Sequence, residues 1–393
     1  MNLHGGSAAI AQSGGPTSVI NASLAGAVEA CRNWPGLRSL YGVRFGAAGL
    51  VQGDFLDLLP QDPALLESIG QSPGAALGSS RRSIEPDELA VVLQHFRTRE
   101  IRCLFYAGGN GSMETALRLE QFARDQHYEL QVIGIPKTID NDLMETDHSP
   151  GYGSAARFFA HAARDVGEDN RSLPSPICIL EVLGRNTGWI AAATALARHR
   201  DDDAPHLIYF PEHPVSADQL LADVEQVYQR FGRVVIAVCE GQLDDRGQPF
   251  GADLDRAGDA RHRLASNLGH SLARLISERL GIRARSEKPG LMGRSSGVLV
   301  SSVDRQEAYE CGIAAVTAAR RGESGVMIGL RRESGDLYRC STFQVPFSMV
   351  AGKEKRLPAK WISPRGNDIL QAFSDYAGPL IGAPSAYPRL LEQ

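Results

Sequence analysis

The chain has 393 residues, with 41 Lys and Arg against 46 Asp and Glu, for a formal net charge of −5. That balance argues against a general nucleic-acid binder, which needs a basic face. The length exceeds one ordinary core, so two domains of about 150–200 residues each are expected. No run approaches about 18 uninterrupted apolar residues, so no membrane span is expected. The opening "MNLHGGSAAIAQSGG" has neither a basic region nor a long apolar run, so a cytoplasmic protein without a leader is expected. Six cysteines are scattered without a C-x-x-C pair, and Cys103, Cys178 and Cys239 sit in apolar runs. They read as buried free thiols in a reducing compartment.

In chain order, a strand is predicted at Ala8–Gln12, followed by the turn "SGGPTS" (Ser13–Ser18) and a helix over Ile20–Cys31. The same grammar returns at Ile101–Ala107, with "GGNGSM" (Gly108–Met113) and a helix over Met113–Asp125. Each is a strand, a double-glycine turn and a helix start. Such a turn lets the backbone approach a ligand, and the helix start offers unpaired N–H groups to an anion. Either turn alone is explained equally well as a tight connection. A strand at Gln131–Ile135 then runs into "PKTIDND". On an extended chain Asp140 and Asp142 point the same way. Beside a phosphate site, one carboxylate can take a proton from an attacking hydroxyl and the other can help hold Mg²⁺. The plainer alternative is an Asx turn.

Further on come a helix over Ala155–Val166, a strand at Ile177–Val182 and "EVLGRNTGW" (Glu181–Trp189), whose Arg185 could clamp a phosphate. A helix over Ala217–Tyr228 precedes a strand at Arg233–Glu240, and Glu240 at its end suits a sugar hydroxyl. A helix over Leu264–Leu280 and strands at Gly297–Ser302 and Gly325–Leu330 follow. The acidic run Asp201–Asp203 reads as a solvated loop, and the Pro- and aromatic-containing tail as an ordered segment packed on the body. Alternating strands and helices mean βαβ units, hence an α/β fold of two doubly wound Rossmann-like domains with mainly parallel sheets. Ligands then gather outside the carboxyl ends of the strands.

Absent motifs narrow the chemistry. There is no G-x-x-x-x-G-K-[ST] and no H-E-x-x-H, so neither a P-loop kinase nor a zinc site is expected. "GYGSAA" (Gly151–Ala156) matches a dinucleotide fingerprint but follows "TDHSP" rather than a strand. Glu29 comes too early to serve as a ribose partner, so a nicotinamide enzyme is disfavoured.

Taken together, "SGGPTSVINA", "LGSSR", "GGNGS", "PKTIDND", "EVLGR" and "PGLMGR" stand in an order and at spacings that resemble the phosphofructokinases, over about residues 8–300. The resemblance implies Mg²⁺-dependent phosphoryl transfer to the 1-hydroxyl of fructose 6-phosphate, a glycolytic reaction. The active site would lie in the cleft between the domains. It implies that Asp140 is the general base, supported by Lys137 and Thr138, with Asp142 and Asn110 near the metal. Gly14, Gly15, Arg81, Gly109, Asn110, Gly111 and Ser112 would bind the donor. Thr138, Asp140, Leu183, Gly184, Arg185, Glu240, Arg285 and Arg294 would hold the sugar phosphate. Arg285 would act across a subunit interface, which implies a homo-oligomer, dimer or tetramer. It also implies a donor domain of 1–151 plus about 294–343 and a sugar-phosphate domain of about 152–293 plus 344–393.

The chain departs from the family pattern in places. Asn110 stands where an aspartate is usual, Pro176 where a sugar-phosphate arginine is usual, and Leu291 where a histidine is usual. In this family a glycine at the position of Gly111 leaves room for ATP. A lysine at the position of Lys137 is typical of pyrophosphate users but also occurs in some ATP-using branches. Arg44 falls near the aromatic that stacks on adenine in ATP enzymes. The tail and the stretches around the glycine turns look more like the pyrophosphate branches. Pyrophosphate is therefore the expected donor and ATP the alternative. A non-catalytic sugar-phosphate sensor on the same fold is the other alternative, against which the intact Thr138–Asp142 segment argues.

Overall fold

The computed structural model describes residues 6–173, 176–250, 267–335 and 337–390. The chain separates into two compact units, Met1–Ser154 with Arg294–Lys355, and Ala155–Gly293 with Arg356–Gln393. The strands in chain order are β1 (Ser7–Gln12), β2 (Leu40–Val43), β3 (Phe55–Asp57), β4 (Ile101–Gly108), β5 (Gln131–Pro136), β6 (Ile177–Val182), β7 (Leu207–Tyr209), β8 (Val234–Cys239), β9 (Ala284–Glu287), β10 (Val326–Arg332) and β11 (Cys340–Pro346).

In the first unit seven strands form one sheet in the order β11-β10-β5-β4-β1-β2-β3. Only the edge strands β3 and β11 run antiparallel to their neighbours. Alternate residues feed two cores. Ala9, Ala11, Leu104, Tyr106 and Val132 belong to one; Ala8, Ile10, Phe105, Ala107 and Ile133 belong to the other. Burial on both faces is why these strands read as unbroken apolar runs rather than alternating ones. The chain leaves β1 for β2 on one side and later places β4 on the other, so β1 and β4 flank a topological switch point. In the second unit four parallel strands run in the order β7-β8-β6-β9. Ile177, Ile179, Ile236 and Val238 pack there with Leu220, Val224, Leu268 and Leu272 of the covering helices. Among the described residues no helix is long and apolar enough to cross a membrane.

The α/β reading holds, and most predicted strands are present to within a residue or two. The exception is Gly297–Ser302, which is not a strand. Val298 there is 92% exposed, and Ser301 instead caps the helix Ser302–Arg320 by accepting from Asp304 N at 3.3 Å. An apolar run without a partner strand gains nothing from extension, whereas a serine at a helix start satisfies a backbone donor. Five strands are not among those predicted from the sequence: the three- and four-residue β2, β3, β7 and β9, and the seven-residue β11. β9 spells "ARSE", with no apolar pattern to read. The helix expected over Leu264–Leu280 is seen as Leu268–Leu280, and residues 264–266 lie outside the described residues.

Two other expectations are corrected. The last crossing falls between Lys355 and Arg356 rather than near 343. β11 still pairs along its whole length with β10, and Phe347 and Val350 beyond it lie in the core of the first sheet. Asp201–Asp203 is not simply a solvated loop. Asp203 is buried, and Asp202 and Asp203 both accept from Arg389 of the tail, at 2.7 and 2.5 Å. The tail is indeed packed: Trp361, Phe373 and Tyr376 ring Trp189 at centroid distances of 5.5–6.4 Å.

In the first unit the helices Ile20–Arg32 and Ser302–Arg320 cross with their backbones in near contact. A β-carbon at Gly26 would stand 2.2 Å from Tyr309 O, and one at Gly312 would stand 2.1 Å from Ser23 O. Neither carbonyl can yield without moving a helix. Gly312→Val should therefore cost about 1–3 kcal/mol, read as a lower midpoint in urea unfolding. An unchanged midpoint would mean that the two helices can separate freely.

Candidate active site

The turn after β1 is built from backbone. Gly14 has φ of 78°, its N–H donates to Ser80 O at 3.0 Å, and its carbonyl accepts from Ser79 Oγ at 2.6 Å. A side chain here would be strained by the left-handed backbone. It would also be displaced by what surrounds the turn. A β-carbon at Gly14 would stand 3.0 Å from Lys137 Nζ. One at Gly15 would stand 2.7 Å from Arg294 Nη1 and 3.7 Å from Arg81 Nη2. Lys137 is 4% exposed, and its ammonium donates to Gly15 O at 2.8 Å. Three cations from distant parts of the chain therefore converge on one glycine turn.

The second turn begins the helix Asn110–Asp125 at Gly109, with no side-chain cap. Ser112 is buried against the turn, and a β-carbon at Gly108 would clash with its hydroxyl at 2.0 Å. Gly109 lies next to the β5 exit: its β-carbon would stand 3.4 Å from Lys137 O and 3.8 Å from Thr138 Cβ. Gly111 faces open space, with nothing within 4 Å of a β-carbon there.

Beyond β5, Lys137 N donates to Gly108 O at 3.1 Å, and Asp140 N donates to Thr138 Oγ1 at 3.1 Å. Asn141 takes φ of 53° and kinks the loop between the two carboxylates. Asn110 Nδ2 donates to Asp142 Oδ2 at 3.0 Å and to Asp142 O at 3.3 Å. The remaining side-chain oxygens, Asn110 Oδ1 and Asp142 Oδ1, are buried and have no hydrogen-bond partner among the described residues. Two unpartnered hard oxygens on side chains joined by a hydrogen bond suit a cation such as Mg²⁺.

In the second unit the β6 and β8 exits meet. Gly184 has φ of 144° and Arg185 has φ of 51°. A β-carbon at Gly241 would stand 1.6 Å from Arg185 O, so only glycine fits after Glu240. Cys239 Sγ braces the turn against Thr187 O at 3.4 Å. Burial pushes the Glu240 carboxyl up from its ordinary value, while the Arg185 backbone N–H pulls it back down. Leu183, Gly184, Arg185 and Glu240 are thus gathered at one strand edge.

Arg285 is not among them. It sits in β9 opposite Cys178, at the amino end of β6, and pairs with Asp169. Arg294 belongs to the first unit, on the glycine turn with Arg81. Pro176 precedes β6 and Leu291 is 64% exposed. Arg44 is held by Asp54 at 2.7 Å. The dinucleotide fingerprint is accounted for as structure. Gly151 N and Ser154 N both donate to the Asp304 carboxylate at 2.8 Å, which occupies the helix start.

Sequence reasoning missed the groups that hold the loop after Asp142. His148 is buried; its Nδ1 meets Asp147 Oδ2 at 2.8 Å and its Nε2 meets Glu307 Oε2 at 2.6 Å. Tyr338 donates to the other Glu307 oxygen. His148, Glu307 and Cys340 place ligand atoms within 4.8 Å of one another, but both imidazole nitrogens are already engaged. No local spacing signals this network, because its members come from three segments. Burial alone would lower the His148 pKa, but the hydrogen bonds to Asp147 and Glu307 outweigh it and raise the value above 6.5. A raised folded-state value means stability that is complete below about 6.5 and lost as pH rises through the raised value. The melting temperature should fall over that window, and His148→Gln should flatten the fall. Equal slopes for the two proteins would exclude a charged His148.

Comparisons with known proteins place these residues among relatives. Residues 7–319 match the family described as Phosphofructokinase. The chain is 37% identical over 391 residues to the pyrophosphate–fructose 6-phosphate 1-phosphotransferase of Rhodospirillum rubrum, covering 97% of this chain and 96% of that protein. It is 35% identical over 388 residues to the enzyme of the same name from Xanthomonas campestris pv. campestris, covering 96% and 92%. The crystal structure of a pyrophosphate-dependent phosphofructokinase from Marinobacter aquaeolei superimposes with a TM-score of 0.87 at 32% identity, covering 98% of this chain and 93% of that one.

Proposed function

The chain belongs to the phosphofructokinase family, and from that premise we propose that it transfers a phosphoryl group from pyrophosphate to the 1-hydroxyl of fructose 6-phosphate. The observation that carries the donor half is the convergence on the Gly14–Gly15 turn of Lys137 and Arg81, joined there by Arg294, which the family resemblance assigns to the sugar phosphate. A small polyanion needs that density of positive charge and N–H groups, and phosphoryl transfer depends on charge stabilisation and alignment rather than on covalent chemistry. The names of the relatives at 37% and 35% identity point to the same donor.

Asp140 takes the proton of the sugar 1-hydroxyl as its oxygen attacks the near phosphorus. The bridging P–O bond breaks and orthophosphate leaves, so the products are fructose 1,6-bisphosphate and phosphate. Thr138 orients the base through the Asp140 N–H. Lys137, with the backbone of Gly109, Asn110, Gly111 and Ser112 at the second glycine turn, holds the diphosphate. Mg²⁺ fits Asn110 Oδ1 and Asp142 Oδ1, whose unpartnered oxygens would hold it; when bound, it neutralises donor charge. Leu183, Gly184, Arg185 and Glu240 of the second unit bind the sugar phosphate, with Glu240 accepting from a hydroxyl. Arg285, remote from them in its own chain, serves the sugar phosphate of a neighbouring copy. The reading thus makes the first unit the donor domain and the second the sugar-phosphate domain.

ATP is the second reading, favoured by the open space at Gly111. Initial rates with fructose 6-phosphate and Mg²⁺ should show turnover with pyrophosphate and little with ATP; the reverse would reassign the donor. Asp140→Asn should lower kcat by on the order of 10²–10⁴-fold while sugar-phosphate binding, measured by calorimetry, persists. Undiminished turnover would remove Asp140 from the role of base. Co-expressed Asp140→Asn and Arg285→Ala chains should recover activity that neither has alone; no recovery would place Arg285 outside the shared site.

A further inference from the structure

Lys355 is the last residue of the first unit, more than two hundred positions from the catalytic loop in sequence. Its side chain nevertheless ends inside that loop. The ammonium group donates to Thr146 O at 3.0 Å, to Asp147 O at 2.9 Å and lies 3.4 Å from Asn141 Oδ1. Its backbone N–H donates to Asp142 O at 2.7 Å. An ammonium has three donors and no acceptor, and here each donor faces an oxygen of one short segment. We propose that Lys355 is a positioning residue for phosphoryl transfer, setting the conformation of residues 141–147 and through it the aim of Asp140 and Asp142.

The geometry explains why a pin is needed there. Asn141 is held at φ of 53° between two carboxylates, a backbone state that non-glycine residues adopt at a cost and keep only when their surroundings impose it. Asn141 Oδ1 accepts from Ser149 N at 3.1 Å as well as facing Lys355, so the kink is tied on both sides. Asp142 is fixed at its carbonyl by Lys355 N and at its carboxylate by Asn110. Without the ammonium, the carbonyls of Thr146 and Asp147 lose their shared donor, and the kink loses the tie from Lys355. The carboxylates would then sample orientations that miss the hydroxyl and the metal. A misplacement of about 1 Å can cost on the order of 100-fold in rate.

This inference rests on the proposed roles of Asp140 and Asp142. Its test is steady-state kinetics of Lys355→Met and Lys355→Arg, with pyrophosphate, fructose 6-phosphate and Mg²⁺, alongside thermal unfolding and calorimetric titration with fructose 6-phosphate. The expected result for Lys355→Met is a kcat lower by on the order of 100-fold, with little change in KM for the sugar phosphate or in its measured affinity. Lys355→Arg, which keeps the charge and donors, should recover part of kcat. Unchanged kcat in a folded Lys355→Met would overturn the proposal. So would a loss of activity that merely tracks a lowered melting temperature, or one in which sugar-phosphate affinity falls in parallel. If Lys355→Met does not fold, Lys355→Arg decides: kcat partly below the wild-type level at unchanged melting temperature and sugar-phosphate affinity supports the pin, and kcat at the wild-type level, or a loss that tracks melting temperature, overturns it. Inactivity of the unaltered protein with pyrophosphate and with ATP would instead remove the functional reading on which the proposal stands.

Discussion

The close approach of charged side chains to the Gly14–Gly15 turn is the constraint on which the rest of the first unit depends. Lys137, Arg81 and Arg294 can crowd together only because the turn has no side chains of its own to keep them apart. Like charges repel, so three cations held near one backbone turn favour an anion between them. Such an arrangement makes sense as preparation for an anion, whose binding repays the repulsion. Lys137 donates to Gly15 O, and the peptide dipoles at the start of the Asn110–Asp125 helix favour the same anion.

The parallel sheet supplies the placement. β1, β4 and β5 are neighbours, and their exits bring the two glycine turns and the carboxylate loop to one edge. Each exit is tied to the next through backbone: Ser13 N to Ala107 O, and Lys137 N to Gly108 O. A shift in any strand would move all three together, so the sheet works as a rigid ruler for the site. The second unit applies the same principle on a smaller scale. There the β6 and β8 exits are locked by the near contact of Gly241 with Arg185 O and by the Cys239 thiol.

Around this ruler lies a layer of buried charge. His148 sits between Asp147 and Glu307, Asp304 caps the Gly151–Ser154 turn, and Lys355 closes the stretch between them. His148, Asp304 and Lys355 each have at least one partner from a distant segment, which is the condition under which burial of charge is tolerated. The pattern ties the loop carrying Asp140 and Asp142 to the helix Ser302–Arg320 and to the segment after β11. Those elements hold the loop from outside it.

The sequence by itself determined the α/β class, the long central strands, both glycine turns and the carboxylate loop. Strands buried on both faces must be apolar throughout, and backbone turns against ligands must be glycine, so both leave local marks. It did not determine that Gly297–Ser302 is a capped loop, that Asp203 is buried beneath Arg389, or that β9 is a strand at all. Those outcomes depend on neighbours far away in the chain, and a short edge strand or a buried carboxylate has no periodicity of its own. Only the tertiary structure decided that Arg294 joins the glycine turn, that Arg285 lies at the other end of its sheet from Glu240, and that His148 and Lys355 hold the loop. Hydrogen bonds and ion pairs across two hundred residues follow from topology, which composition and spacing do not encode.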